Sequence, residues 1–217
     1  NDQITDLLIR HSRSEGVFDR ENIYEIYLGQ KQGDQLIYDE QPHSVVSAGN
    51  ATVGLETLDL NGDNKSEVLL SSLDIGVSQI IGALLTGSID QDVHIYRMDE
   101  ADNFQKKPAV KKEVKLNFSL TSGQSGQPVV EVADFDGDGL QDLLLSDGEK
   151  RLMVHLGVDK PRMFHRRVNK HKVQLPKDGS HVDTRDLNLD GKDDVIIRYG
   201  RQDDEQLANK LVLLLAI

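Results

Sequence analysis

Cysteine and tryptophan are both absent from this chain of 217 residues. The absence of cysteine excludes disulfide bridges, thiolate zinc sites, iron–sulfur clusters and a cysteine nucleophile. Any bound metal must therefore be held by oxygen or imidazole ligands. The longest apolar run covers residues 211–217, which is far shorter than the roughly 20 residues that cross a membrane as a helix. We therefore expect no membrane insertion.

Basic residues are the minority, with 25 Lys and Arg against 37 Asp and Glu and a net charge of −12. This excess of acids argues against nucleic acid or an anionic membrane as the main partner. Catalytic motifs such as His-Glu-x-x-His, Gly-x-Ser-x-Gly and the glycine-rich phosphate loops are missing. Ser180, His181 and Asp183 lie close together in sequence, whereas a catalytic triad is assembled from distant segments. The sequence thus predicts no enzymatic activity.

An acidic pattern of twelve residues is present three times, over residues 59–70, 134–145 and 186–197. Each copy reads Asp-x-Asx-x-Asp, then Gly or Asn, two variable residues, an acid at the ninth position and three apolar residues. A fourth copy looks truncated at the start of the chain, where Asp2 and Asp6 fit the fifth and ninth positions. The chain is therefore interpreted as a tandem repeat.

The ninth-position acids are 61, 75 and 52 residues apart, which leaves room in each unit for about four short strands. Around the second copy, residues 129–133, 143–145 and 152–156 are typical of strands, with a tight turn at Asp147 and Gly148. Tandem units of four-stranded antiparallel sheets predict an all-β fold made of β-propeller blades.

The blade number is about 3.5 for this chain, whereas closed propellers have four to eight blades. We therefore expect a fragment of a larger ring of seven blades, whose remaining blades lie in the parent chain or in a partner chain. The lack of a methionine at the first residue agrees with a trimmed piece. The expected blade units are residues 1–58, 59–133, 134–185 and 186–217.

Length differences between the units indicate insertions, at residues 11–22, 72–92 and 200–209. The longest insertion contains large apolar residues at helical spacing. Gly82 interrupts this pattern, so that two short strands are the alternative to a helix. The residues at helical spacing are Val77, Ile80, Ile81, Leu84 and Leu85.

Three stretches, loop 1 (residues 59–67), loop 2 (134–142) and loop 3 (186–194), carry the side chains that a hard cation requires. Oxygens of the first, third and fifth residues, a carbonyl at the seventh and a carboxylate at the ninth form a shell suited to Ca²⁺. The sixth residue needs a positive φ, which Gly139 and Gly191 adopt easily and Asn64 adopts best among non-glycine residues. The predicted ligands are Asp59, Asn61, Asp63, Lys65 and Glu67 in loop 1; Asp134, Asp136, Asp138, Leu140 and Asp142 in loop 2; Asp186, Asn188, Asp190, Lys192 and Asp194 in loop 3; and a partial fourth site near Asp2 and Asp6.

An EF-hand and an ordinary turn fit these loops less well than a calcium site between strands. An EF-hand needs a Glu at the twelfth position and two flanking helices, but the twelfth residues here are Leu70, Leu145 and Ile197. Asp, Asn and Gly also collect in ordinary turns, yet three copies with an acid at every first, fifth and ninth position favour a metal site. We expect calcium to stabilise the fold by mass action, in a calcium-rich compartment.

With these loops, the chain resembles the FG-GAP/VCBS repeats of integrin-α-like β-propellers, whose calcium loops read Asp-x-Asp-x-Asp-Gly-x-x-Asp before an apolar strand. Literal Phe-Gly and Gly-Ala-Pro signatures are absent, which makes the VCBS type closer than an integrin. The resemblance implies an extracellular, cell-surface or periplasmic location. It also implies that each calcium loop joins the first two strands of a blade, with the insertions on the opposite face.

The face that carries the insertions is the predicted contact surface for a protein or glycan ligand, because loops on a rigid scaffold commonly carry recognition. We expect a non-catalytic calcium-binding module for adhesion, protein–protein interaction or assembly. One alternative is a carbohydrate-binding or polysaccharide-active propeller, such as a lectin or the accessory part of a lyase, although the chain has only ten Phe and Tyr. Another alternative is a propeller of a toxin or secretion complex.

Overall fold

The computed structural model describes the chain over eight segments, in which β-strands dominate. Strands account for 48% and helices for 8%, which confirms the prediction of an all-β fold. No helix in these segments has the length and hydrophobicity needed to cross a lipid bilayer. The segments are residues 4–14, 20–49, 51–63, 65–73, 76–100, 102–119, 124–159 and 162–216.

The strands of the described segments pair antiparallel into small sheets. In chain order, the first five strands are β1 (Leu7–Ser14), β2 (Arg20–Tyr27), β3 (Gln30–Gln32), β4 (Gln35–Ile37) and β5 (Ser44–Gly49). The first sheet has the order β1-β2-β5, and β3 and β4 form a separate hairpin. The second sheet uses β6 (Ala51–Leu58), β7 (Glu67–Leu73), β8 (Ser88–Tyr96), β9 (Val110–Ser119) and β10 (Gln124–Ser125), in the order β10-β9-β8-β7-β6.

The third sheet uses β11 (Val130–Ala133), β12 (Asp142–Ser146), β13 (Arg151–His155) and β14 (Asn169–Lys172), in sequence order. The last sheet uses β15 (Val182–Arg185), β16 (Asp194–Arg198) and β17 (Leu211–Leu214), also in sequence order. Helical segments are α1 (Val77–Thr86) and two 3₁₀ turns, Gly179–His181 and Glu205–Leu207.

Within the described segments, the four larger sheets contain three, five, four and three strands, whereas each complete blade unit is expected to have four. The fifth strand of the second sheet is only the two-residue pairing of β10 with the end of β9. The third sheet has the expected four strands, and β11, β12 and β13 confirm the strands expected around loop 2. The expected turn is also present, since the N–H of Asp147 donates to the carbonyl of Arg151 at 2.9 Å and Gly148 has a φ of 67°.

The longest insertion forms a helix, α1, and not the two short strands that were the alternative. It contains no charged residue, and its small buried side chain is Ala83. Four large apolar side chains remain exposed by 54–82%: Val77, Ile81, Leu84 and Leu85. Of the two shorter insertions, residues 11–22 fall mostly in the β1–β2 hairpin, with residues 15–19 outside the described part, and residues 200–209 contain the second 3₁₀ turn.

The chain divides into two compact units. One consists of Asn1–Asp59, Asp63–Gln79 and Asp92–Lys112, and the other of Leu60–Gly62, Ile80–Gln91 and Glu113–Ile217. The core of the first contains Tyr24, Ile26, Val46, Ala48, Val68, Leu70, Tyr96 and Phe104. The core of the second contains Val129, Leu144, Leu152, Val154, Leu175, Val182, Val195 and Ile197. Each unit thus has a core of its own.

The strand that follows each loop is the most deeply buried of its sheet. Every residue of β12 is buried, and six of the seven residues of β7 are buried. These strands have a neighbour on each side, and their side chains are covered on both faces of the sheet. The opposite case is β17, an edge strand whose Leu211 and Leu213 are exposed by 58% and 48%.

Replacing Leu144 by alanine tests how strongly these buried strands hold the fold. Leu144 has no exposed surface, so Leu144→Ala is expected to lower the free energy of unfolding by about 2–5 kcal/mol through lost burial and a residual cavity. The matched control is Leu85→Ala on α1, where the leucine is 82% exposed and the change should stay within about 0.5 kcal/mol. Urea denaturation of both variants gives the two values, and equal losses would contradict the assignment of the core.

Candidate metal centre

The three loops occupy the same place in their sheets. Each loop joins two antiparallel strands, with the residue before the loop opposite its ninth-position acid: Leu58 opposite Glu67, Ala133 opposite Asp142, and Arg185 opposite Asp194. The loops are therefore hairpin connections between strands, which agrees with the rejection of an EF-hand.

The first residue of loop 2 organises the turn through its carboxylate. Asp134 Oδ1 accepts the N–H of Gly137 at 2.7 Å, and Oδ2 accepts the N–H of Gly139 at 2.8 Å. Gly139 has a φ of 84°, as predicted for the sixth position. These bonds wrap the main chain around the Asp134 side chain and bring the following acids to the same side of the loop.

The acids of loop 2 converge as a cation site requires. One carboxylate oxygen from each of Asp134, Asp136 and Asp138 lies within 4.8 Å of the others. Ca²⁺ binds oxygen at 2.3–2.6 Å, so two ligands on opposite sides of one ion are about 5 Å apart. The distances and the all-oxygen donor set of these three residues therefore fit calcium.

The ninth-position acids of loops 2 and 3 are fully buried and accept backbone N–H groups from two directions. Asp142 Oδ2 accepts from Phe135 at 2.9 Å and Oδ1 accepts from Gly157 at 2.6 Å. Asp194 repeats this arrangement with Leu187 at 3.0 Å and Ala216 at 2.9 Å. Each acid thus joins its own loop to a later part of the same repeat.

Loop 2 concentrates negative charge around a buried carboxylate. Burial raises the pKa of Asp142 to about 6, although the N–H groups of Gly157 and Phe135 act in the opposite direction. Burial and the nearby Asp138 and Asp134 also raise the pKa of Asp136. Because the pKa of Asp142 is raised in the folded state, protonation of this carboxyl stabilises the fold. This stabilisation is complete below about pH 4 and is lost as the pH rises through about 6. A bound cation would offset this cost.

Loop 3 has the same main-chain geometry with one carboxylate fewer at the predicted ligand positions. Asp186 accepts the N–H groups of Leu189 at 2.7 Å and Gly191 at 3.0 Å. At the third position, Asn188 donates its side-chain N–H to Asp190 at 2.9 Å, and this hydrogen bond lowers the pKa of Asp190. The amide therefore relieves in loop 3 the repulsion that Asp136 creates in loop 2.

Loop 1 differs because protein cations lie beside its acids. Arg97 places a guanidinium nitrogen 3.5 Å from Asp63 and another 3.9 Å from the buried Glu67, and Lys65 pairs with Asp102. The N–H of Lys65 donates to Asp63 at 2.8 Å, as the seventh residue does in loops 2 and 3. Asn64, the predicted sixth residue, lies outside the described residues.

The partial fourth site is described only at its ninth position. Asp6 Oδ1 accepts the N–H of Gly29 at 3.0 Å, which matches the way in which Asp142 and Asp194 bind a later part of their repeats. Asp2 and Gln3 lie outside the described residues.

One feature of the loops escaped the sequence interpretation, namely a positive φ at the fourth position. Gly62 and Gly137 have φ values of 72° and 77°, and Leu189 has a φ of 62° in loop 3. The signal was glycine at this position in two of the three copies. Leucine in this conformation costs about 1–2 kcal/mol, and the Leu189 side chain is 88% exposed, so little packing offsets the strain.

Replacing Leu189 by glycine should therefore stabilise the protein. We expect Leu189→Gly to raise the free energy of unfolding by about 0.5–1 kcal/mol, because the relieved strain exceeds the entropic cost of glycine. Leu187→Gly is the control in the same loop. It should lower stability by at least about 0.5 kcal/mol, since glycine adds its entropic cost and removes a leucine that is only 40% exposed, with no positive φ to relieve. Thermal and urea unfolding measure both, and a loss in both variants would contradict the strain.

The buried ninth acid is tested with Asp194→Asn in calcium-free buffer. Asparagine has one acceptor oxygen and would turn an N–H donor toward one of the two backbone N–H groups, so we expect a loss of about 1–3 kcal/mol in the free energy of unfolding. Asp138→Asn is the control, because this exposed side chain can still accept the N–H of Leu140. Equal stabilities of the two variants would show that the buried acceptor has no special role.

Comparison with known proteins adds no family assignment to this geometry. No protein-family model matches the chain, and no curated protein matches it. The interpretation of the site therefore depends on the contacts of loops 1, 2 and 3 described above.

Proposed function

We propose that the chain is a non-catalytic, calcium-binding β-propeller segment of the FG-GAP/VCBS type, in which the metal is structural. The observation that carries the proposal is the convergence of Asp134, Asp136 and Asp138, whose carboxylate oxygens lie within 4.8 Å of one another. Asp134, Asp136 and Asp138, with the Leu140 carbonyl and Asp142, would hold the ion in loop 2. The corresponding residues of loop 3 would hold a second ion.

The charge distribution supports this proposal. Loop 2 brings four carboxylates into nine residues, and burial and mutual repulsion raise the pKa of Asp136 and Asp142. A divalent cation supplies the missing positive charge, because hard cations take carboxylate and carbonyl oxygens as ligands. The bound ion would then stabilise the strand pair β11–β12 on either side of the loop.

The repeated position of the loops supports the propeller architecture. In each of the three complete repeats, the loop joins two adjacent antiparallel strands, and further strands of the same sheet follow in order. A propeller blade has this meander of four strands. The proposed ring contains these sheets as blades, together with blades from the parent chain or a partner chain.

The proposed contact surface for a protein or glycan ligand includes α1. Its four exposed apolar side chains give this helix an uncharged outer face, and exposed apolar patches commonly mark interaction sites. An extracellular or periplasmic adhesion or assembly role agrees with the proposed calcium requirement, since extracellular modules bind calcium at about 10⁻⁴–10⁻³ M.

The three loops are not expected to bind calcium equally. Arg97 already supplies a positive charge to Asp63 and Glu67 in loop 1, and a cation entering this loop must compete with it. Loop 2 has an additional carboxylate, and no guanidinium pairs with its acids within the described segments of the chain. The proposed order of affinity therefore places loop 2 above loop 1.

Calcium titration followed by thermal unfolding tests the proposal. A site at 100 times its dissociation constant adds about 2.7 kcal/mol to stability, which raises the melting temperature by about 5–10 °C in a chain of this size. Asp138→Ala should lose the part of the melting-temperature shift that loop 2 contributes. Glu149→Gln removes one exposed charge from the turn between β12 and β13 and should keep the full shift. Chelation should reverse the shift. The same melting temperature with calcium and with chelator would contradict the proposal.

A further inference from the structure

Loops 2 and 3 are joined by a pair of hydrogen bonds between their first and eighth positions. The N–H of Asp193 in loop 3 donates to the carbonyl oxygen of Asp134 in loop 2 at 2.7 Å. In return, the N–H of Asp134 donates to the Asp193 carboxylate oxygen Oδ2 at 3.0 Å. Asp193 therefore holds both main-chain polar groups of Asp134, the residue whose own carboxylate organises loop 2.

The two loops also approach each other closely at Gly137. A Cβ atom at this position would lie 3.2 Å from Lys192 Cγ and 3.3 Å from the carbonyl oxygen of Gly191. The main chain of loop 2 thus lies directly against the sixth and seventh residues of loop 3, with little room for a side chain at Gly137. The two loops are therefore packed closely against each other at this point.

The eighth residue of loop 2 makes a main-chain hydrogen bond to the second residue of loop 1. The N–H of Gln141, the eighth residue of loop 2, donates to the carbonyl of Leu60 at 2.9 Å. No hydrogen bond from the Gln141 side chain is present in the described residues, whereas the equivalent Asp193 adds its carboxylate. The side-chain bond is thus a particular property of Asp193.

We infer that Asp193 couples calcium binding at loop 3 to calcium binding at loop 2, although it is a ligand in neither. The inference rests on the proposed function, since it concerns how the two proposed sites influence each other. An ion in loop 3 would fix Lys192 and Asp194, the neighbours of Asp193 on either side. Asp193 would then hold Asp134 in place before loop 2 binds its ion.

The coupling has a definite sign. When loop 3 is ordered, loop 2 loses less conformational entropy on binding, and its affinity rises. Linkage requires the converse, so an ion in loop 2 must raise the affinity of loop 3 by the same factor. Asp193 acts as a positioning residue through Asp134 in this scheme, and the two loops bind with positive cooperativity.

The test follows each loop separately in the full chain by nuclear magnetic resonance. The amides of Gly139 and Gly191 donate to the first-position carboxylates at 2.8 and 3.0 Å, so their signals report on loops 2 and 3. In the unmodified chain, both signals should change over the same calcium range. In Asp193→Ala, the midpoint of the Gly139 signal change should move to a calcium concentration at least about threefold higher. This is the size of effect expected for one residue of a coupling network.

Two further variants separate the hydrogen bond from charge and from loss of fold. Asp193→Asn removes the charge but keeps an acceptor oxygen, so it should retain most of the coupling. Gln141→Ala is the control at the equivalent position of loop 2 and should leave the Gly139 and Gly191 responses aligned. If Asp193→Ala unfolds, the comparison of Asp193→Asn with the unmodified chain still decides between hydrogen bond and charge.

The outcomes distinguish the inference from the proposed function. A calcium response at neither glycine in the unmodified chain overturns the calcium proposal and the coupling with it. Independent responses in the unmodified chain overturn the coupling alone. An Asp193→Ala variant that keeps cooperative binding, or an Asp193→Asn variant that loses it fully, overturns the role of the Asp193 hydrogen bond.

Discussion

The buried acid at the ninth position is the contact on which the repeats of loops 2 and 3 depend. Asp142 and Asp194 have no exposed surface, and each accepts two backbone N–H groups, one from its own loop and one from a later segment. A buried N–H group without an acceptor costs about as much as a lost hydrogen bond. One side chain therefore closes the loop and fixes where the third strand of the repeat ends.

In loop 2 the buried acid experiences repulsion from other acids of the same loop, since Asp136 and Asp134 raise the pKa of Asp142. Asp134, Asp136 and Asp138 bring three further carboxylates to one side of loop 2, and no protein cation pairs with them in the part of the chain that the structure describes. In loop 1, the guanidinium of Arg97 provides such a charge. In loop 3, the amide of Asn188 replaces one carboxylate. The three loops thus share one backbone turn but differ in how repulsion between their carboxylates is relieved.

The sequence predicted what depends on local spacing. The positions of the loops, the strands around loop 2, the positive φ of Gly139 and Gly191, and helical spacing in the long insertion are all contained in short segments. Contacts between distant segments could not be predicted, because nothing in the acidic pattern indicates that Gly157 donates to Asp142 or that Asp193 binds Asp134. The number of strands per sheet, which is four in one of the four larger sheets of the described segments, could not be predicted either, since it depends on pairing at the sheet edges.

The last sheet ends in the edge strand β17, whose Leu211 and Leu213 point away from the core. An apolar edge strand offers its outer row of main-chain groups as a template for adding another strand. Natural edges are usually blunted by charge or proline, but β17 contains only leucine and valine. A preparation of this chain would consequently be prone to edge-to-edge aggregation at high concentration, and crystallisation would be helped by a lysine engineered into that edge.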